Sequence, residues 1–459
     1  MKEWRSIAIL LSVFGFLKDF RPSDPFLVQF LNGPCHNIST QQIQQDLFPV
    51  GTYSFGTQLV ITFLITDYLR YKPLIVLAGL AGIAYWCLFI WARELKWLQL
   101  AQIFYGTYKA ADVAFWSYIY ASVDRSYYQK ITSYTRSASL VGKFAAAVSS
   151  QLLLFYGLVT DYLDLNYLSL AVQTCTTAIA LFLPPAPKSV YFNRQPAKKD
   201  QNLNEPVSNA RGTETPTSDP DAEKLTPMEL LWYHIKSSYS TFVVLRYSLW
   251  YALESCIYYQ TMLYAQVLWR TIANTRSTGV LWNGAVEAVL TICSAIITFS
   301  AGFVPEEALK VPNTLLGLSW ISFAQGGILL LAALAPNLWV AYGSHIVFSA
   351  LHSFTVTLLN AEIAKNICRD SFGLVFGINA SVGSVLQILV TLVVVNGLSN
   401  TDVVGQFIIF GGICGAIGLL FWTFLLIELR SCWKHYLFRI QQRLTSKRKI
   451  EGTDNHSGV

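Results

Sequence analysis

Five ionisable residues lie near the middle of long apolar stretches: Lys109, Asp112, Lys143, Glu254 and Glu287. A sixth feature, Arg21-Pro22-Ser23-Asp24-Pro25-Phe26, sets an arginine and an aspartate among two prolines inside the first apolar stretch. A charged side chain at bilayer depth costs about 2.5–3.5 kcal/mol even on the lenient insertion scale, so each is a candidate for handling a polar ligand. The chemistry these types offer is recognition: a carboxylate accepts hydrogen bonds from a cation or an amino-substituted ring, and lysines clamp carboxylates. Three acids against two bases leave the central set slightly negative. Lys109 and Asp112 stand three apart, which puts them on one face of a continuous helix and within pairing reach.

Covalent catalysis has no such support. No His-x-x-x-His or Gly-x-Ser-x-Gly pattern occurs, and the eight cysteines are scattered without metal-ligand spacing. The expectation is a protein that is not an enzyme and uses no metal and no cofactor. Its partners are a small-molecule substrate and the lipid bilayer, with no nucleic acid. A channel and a transport-inactive sensor are the competing classes.

The elements that position these charges are transmembrane helices. The chain is 53% hydrophobic and 13% charged, about half the charged fraction of a soluble protein. The apolar run from Ser6 to Leu17 is too short to cross alone, since about 20 residues are needed. It must continue through Lys18, Asp19, Arg21 and Asp24, with both prolines interrupting its hydrogen-bond ladder. Open backbone and charge at that depth are tolerated only where protein or a water-filled cavity surrounds them. No small-residue cleavage site follows this run, so a removable leader is not expected.

Twelve spans are expected, near 5–30, 48–69, 73–92, 98–121, 133–157, 166–185, 240–264, 278–300, 313–333, 338–362, 372–396 and 403–429. Hydropathy alone hesitates over the first, fourth and seventh, which carry breakers or charges. The fold class is therefore an all-α membrane protein with two six-helix bundles, 1–185 and 240–429. Residues 186–239, rich in Pro, Ser, Thr, Asn and charge, read as a disordered cytosolic linker. The basic tail, 430–459, carries an amphipathic pattern suited to an anionic membrane surface.

Placing both termini in the cytosol leaves only Arg93, Lys96, Arg270 and Arg276 in outer loops, a strong inside bias of positive charge. That orientation puts the sequon Asn37-Ile38-Ser39 outside, where Asn37 can be glycosylated. His345 and His352 share a face of the tenth span; packing is the favoured role for them, as it is for most of the aromatics on the fourth and seventh spans. Asp67-Tyr68-Leu69-Arg70-Tyr71-Lys72-Pro73 closes the second span with charges able to latch neighbouring helix ends.

Read together, several strings resemble one family. Gly15-Phe16 precedes the Arg21–Phe26 string, and Thr66-Asp67-Tyr68-Leu69-Arg70-Tyr71-Lys72-Pro73 follows. Tyr128-Gln129-Lys130 then comes before Tyr134-Thr135-Arg136, with Asn283-Gly284-Ala285-Val286-Glu287-Ala288 and Leu374-Val375-Phe376-Gly377-Ile378-Asn379 beyond. The chain is similar to the reduced folate carrier and thiamine transporter family of the major facilitator superfamily, and closer to the thiamine branch.

The resemblance implies alternating access around a central site at the plasma membrane, with thiamine as substrate and reduced folate as the alternative. It implies that Asp24, Phe48, Asp112, Phe115, Asn283 and Glu287 line the site, and that Asp67, Arg70 and Arg136 form a cytosolic latch. Lys109, Lys143, Glu254 and Gln387 are substrate contacts or helix-pairing residues. Asp112 is acidic as in the thiamine carriers, and Ser349 and Gln387 stand where folate carriers hold bases. Gly51 departs from the pattern, standing where thiamine carriers can present a tryptophan, and Phe115 departs too, replacing a tyrosine.

Overall fold

The computed structural model describes residues 3–66, 68–69, 71–122, 128–159, 161–184, 226–276, 281–367, 371–397 and 401–454. Two of the spans are discontinuous, and both breaks fall where the sequence places charge. The first comprises α1 (Glu3–Asp19), a 3-10 turn at Asp24–Phe26, and α2 (Leu27–Asn32). The second and third are α3 (Thr40–Thr66) and α4 (Lys72–Trp91). The fourth comprises α5 (Leu95–Ala110) and α6 (Asp112–Ser122). α7 (Tyr128–Phe155) and α8 (Tyr162–Phe182) complete the N-terminal half. α9 (Pro227–Ser240) leads into α10 (Phe242–Arg276), α11 (Asn283–Ser300), α12 (Val311–Ala333) and α13 (Leu338–Lys365). α14 (Phe372–Val390) runs into a π-helical turn at Thr391–Gly397, and α15 spans Val403–Asp454.

Among the described residues, nine helices are long and apolar enough to cross a membrane unaided. The three expected spans outside that set are the first, fourth and seventh. Breaks shorten the apolar runs of the first and fourth; the seventh, α10, is unbroken but rich in Tyr, Ser and Gln.

Two sequence expectations are corrected here. Order begins before the end of the expected 186–239 linker: Thr226 and Glu229 form a capping box that starts α9. Residues 185–225 lie outside the described residues. The tail is not a separate surface helix, because α15 carries the twelfth span on to Asp454 without interruption.

The halves repeat each other's packing. In the first half α1 packs on α7, α3 on α5, and α4 on α8; in the second, α10 packs on α14, α11 on α13, and α12 on α15. Each second-half pair is the first-half pair moved six spans along. The halves meet through α3 against α14 and α7 against α11, again equivalents of one another.

The cores tell which end is closed. One apolar core takes residues from both halves at the end assigned to the outside, among them Phe30, Phe48, Trp86, Tyr264, Trp269 and Tyr342. Toward the other end each half has its own core, around Phe14, Phe115 and Tyr118 in one and Tyr247, Trp250 and Phe421 in the other. Shared burial on one side only is the arrangement of two bundles sealed at that end.

Gly142 sets the closeness of α1 and α7, because a Cβ there would run into the backbone carbonyl of Phe16. Backbone cannot move aside as a side-chain tip can. Gly142→Ala is expected to destabilise the protein by about 1–3 kcal/mol, read as a lowered melting temperature of the purified chain.

Candidate functional site

The site grows out of the two broken spans. Pro22 has no N–H to give the Lys18 carbonyl four residues earlier. The Tyr108 hydroxyl of α5 donates to that carbonyl instead, at 3.0 Å. α1 thus ends on Lys18 in its last turn, and the next helical turn opens on Asp24. The fourth span repeats the arrangement, with Lys109 in the last turn of α5 and Asp112 opening α6. A base at a helix C-terminus and an acid at an N-terminus each complement the helix dipole. The breaks therefore stabilise the charges they bring to the bilayer interior.

Across the two spans, Lys18 Nζ donates to Asp112 Oδ1 at 2.8 Å. The same ammonium lies 5.0 Å from the centroid of the Phe115 ring and 5.9 Å from that of Trp116. Arg21 pairs with Asp24 at 3.0 Å and reaches Asp19 at 3.9 Å, with its guanidinium 5.8 Å from the Tyr108 ring. Asp19 also feels Lys143, Lys18 and Lys109. Glu287 of α11 lies in the fields of Lys143 of α7 and Asp24. Tyr258 and Tyr259 of α10 stand in the fields of Glu287 and Asp112, respectively. Four acids and four bases from four spans thus gather in one central region, with the tyrosines of a fifth span beside them.

Access is not shared equally between partners. The Asp112 side chain is 33% exposed against 7% for Lys18, and Asp24 is 39% exposed against 9% for Arg21. The acids keep an open face while the bases that pair with them are tucked behind.

Several predicted site residues therefore meet: Asp24, Asp112, Glu287, Lys109 and Lys143 all join this cluster, and Phe115 forms its floor. The expected local pairing of Lys109 with Asp112 is replaced by the Lys18 pair. Ala111, with ψ −3°, ends α5 and breaks the helical phase that would have aligned the two. Lys109 lies 5.9 Å from the Tyr105 ring instead.

Other predicted residues sit elsewhere. Glu254 is fully buried inside the C-terminal half, where the Cys414 thiol donates to it at 3.6 Å; it pairs helices and does not line the central region. Phe48 is buried edge-on against Tyr264 in the outer core. Gln387 is buried on α14, its carbonyl accepting from Gln260 at 3.2 Å. His352 stacks on Tyr258 with centroids 4.0 Å apart, and His345 lies edge-on to Trp269 at 5.0 Å, consistent with packing roles. At Gly51 a Cβ would lie 2.6 Å from Gln102 Oε1, so the space a larger residue would need is filled by Gln102. Of the expected latch, Asp67 and Arg70 lie outside the described residues; Arg136 is exposed on α7.

Asn283 has a different neighbourhood. It is buried at the outer end, where its amide donates to the Pro25 carbonyl at 2.9 Å and accepts from the Tyr342 hydroxyl at 3.0 Å. Beside it, Gln266 donates to the Asp24 carbonyl at 2.8 Å and accepts from the Val28 N–H at 3.3 Å. The Tyr264 hydroxyl donates to Gln44 O at 3.4 Å, and Asn396 donates to the Tyr53 hydroxyl at 2.8 Å. The carbonyls exposed by the proline break thus become the grip by which the second half holds the first closed. Sequence reasoning missed Lys18 and Asp19 as site residues, although both stood among the charges interrupting the first span. It also missed Gln266, for which a lone glutamine on an aromatic helix is a faint signal.

Comparison with known proteins agrees with this architecture. The chain resembles the crystal structure of the nucleoside transporter NupG with a TM-score of 0.61, 14% identity and coverage of 91% of this chain and 99% of that one. It has the major facilitator fold. In sequence it is 33% identical to human thiamine transporter 1 over 91% of this chain and 89% of that protein. It is 29% identical to the human reduced folate transporter over 86% of this chain and 67% of that protein. The family described as reduced folate carrier matches residues 2–409, and the chain belongs to that family.

Proposed function

We propose that this protein is a carrier that moves thiamine across the plasma membrane by alternating access, with twelve spans and both termini in the cytosol. The observation that carries the substrate assignment is the unequal access within the ion pairs. Asp112 and Asp24 present open carboxylate faces while Lys18 and Arg21 are covered. A permanent cation bearing an aminopyrimidine suits such a surface: one carboxylate answers the positive ring, and another accepts from the amino group. Tyr259, in the field of Asp112, and the face of Tyr258 that His352 leaves uncovered offer aromatic surface for a flat heterocycle. Ser349 and Gln387, where folate carriers hold bases, are buried and neutral.

One observation favours reduced folate as a second reading. Lys143 is exposed beside Glu287 and could receive a substrate carboxylate. Labelled uptake into cells lacking their own carriers, with thiamine and a reduced folate competed against each other, separates the two. Saturable thiamine entry that excess folate leaves unchanged supports the first reading, and the reverse pattern supports the second.

In the same account Arg136, with Asp67 and Arg70, latches the cytosolic side when the outer side opens. Asn37, exposed in the left-handed region at φ 52°, carries the glycan. Asn37→Gln is expected to abolish the gel-mobility shift that glycosidase produces on the wild-type chain, with little change in uptake. A glycosidase shift that persists in the variant would place the glycan elsewhere.

A further inference from the structure

We propose that Lys18 is a tethered stand-in for the substrate's cation: its ammonium occupies the subsite built by Asp112, Phe115 and Trp116, and a cationic substrate must displace it. This deepens the reading above and rests on it for the identity of the cation. The geometry is that of a bound ammonium ligand. Lys18 Nζ is 2.8 Å from a carboxylate oxygen and lies against two aromatic rings, at 5.0 and 5.9 Å from their centroids. A carboxylate with ring faces around it is how proteins hold organic cations.

Three features separate this arrangement from an ion pair that only joins helices. Asp112 keeps a third of its side-chain surface accessible, so a second cation can approach the same carboxylate. Asp112 also opens α6, where the helix N-terminus supports its negative charge independently of Lys18. Finally, Lys18 has somewhere to go. Asp19, its chain neighbour, already lies in its field, and the four-carbon stem of lysine lets the ammonium swing between carboxylates. A fixed structural pair would lack that exchange partner.

Lys18 then sets specificity as well as affinity. A weakly binding amine cannot outcompete a tethered ammonium, whereas a cation that also engages Glu287, Asp24 and the tyrosines can. The effect on affinity follows from competition. If Lys18 holds Asp112 nine-tenths of the time, the apparent dissociation constant is about tenfold weaker than the intrinsic one.

The test is equilibrium binding of thiamine to the purified 459-residue chain in detergent. Lys18→Met, which keeps the stem and removes the charge, is expected to bind thiamine about tenfold more tightly than wild type. Lys18→Arg is expected to bind no more tightly, and adding Asp112→Asn to Lys18→Met removes the gain. A Lys18→Met chain that binds thiamine no more tightly than wild type overturns the proposal. If thiamine binds neither chain, the thiamine assignment fails, and the subsite is decided by n-propylammonium. That ion is then expected to raise the melting temperature of Lys18→Ala and leave Lys18→Ala/Asp112→Asn unchanged; no shift in Lys18→Ala overturns the proposal. Loss of monodisperse, folded protein in both Lys18→Met and Lys18→Ala would make Lys18 structural and would overturn it as well.

Discussion

Asp112→Asn is expected to cut thiamine uptake by about ten- to hundredfold at unchanged surface expression. A hydrogen bond to a charged group contributes about 1.5–3 kcal/mol, and each 1.4 kcal/mol is about a factor of ten. Asparagine keeps the shape and one acceptor but removes the charge that answers a permanent cation. It also removes the charge of the partner that Lys18 meets at 2.8 Å, leaving Asp19 as a carboxylate already in the field of that ammonium. The combined variant Lys18→Met/Asp112→Asn separates the two effects. If uptake is lost through an uncompensated lysine alone, the second substitution restores it. Uptake is expected to stay low in the double variant, with surface expression still at the wild-type level. Full saturable uptake by Asp112→Asn would remove the carboxylate from the site.

Asn283→Leu is expected to open the outer side. The wild-type amide joins the Pro25 carbonyl to the Tyr342 hydroxyl, and so joins the first span to the eighth and tenth. Only the Pro25 bond crosses between the halves and exists only while these ends are together; the Tyr342 bond lies within the second half and orients the amide. Losing the crossing bond at about 1 kcal/mol moves the balance toward the outward-open form by about fivefold. A cysteine in place of Tyr259, in a chain also carrying Cys35→Ser, reports this as faster labelling by an impermeant maleimide added outside intact cells. Uptake falls because the carrier returns inward less often. A Gln266→Leu chain shows the same direction through the Asp24 carbonyl and the Val28 N–H. Unchanged labelling in both variants would mean that these bonds do not hold the outer gate.

Both predictions trace to one device, a helix broken by proline or by a turn at the level where charge sits. The device itself was legible in the sequence. Prolines 22 and 25 must leave backbone groups without helical partners, and the charges around them forbid a lipid-facing position. The identities of the replacement partners were not legible. Lys18 finds Asp112 across 94 residues, whereas the three-residue spacing of Lys109 and Asp112 pointed to a local pair. That spacing rule holds for a continuous helix, and Ala111 interrupts this one.

Glu254 illustrates a different limit. An unbroken apolar helix such as α10 does not reveal which of its faces meets the neighbouring helices and which meets the cavity. Only its packing against α12 and α15 shows that Glu254 belongs to the C-terminal core while Tyr258 and Tyr259 lie in the fields of Glu287 and Asp112. Phe48 and Asn283 were placed at the substrate by resemblance to a family whose members alternate between conformations. Here they belong to the closed outer end, where the halves share one core. The first and fourth spans, two of the three that hydropathy left in doubt, supply six of the cluster's eight charges. Function has put its charges where a plain apolar span would have been easiest to recognise.

The most direct test of the central claim is radiolabelled thiamine uptake by carrier-deficient cells expressing this chain, measured with and without excess reduced folate and repeated with Asp112→Asn. The account predicts saturable thiamine entry that folate does not inhibit and that Asp112→Asn largely abolishes. Saturable folate entry insensitive to thiamine, or thiamine entry indifferent to Asp112, would contradict it.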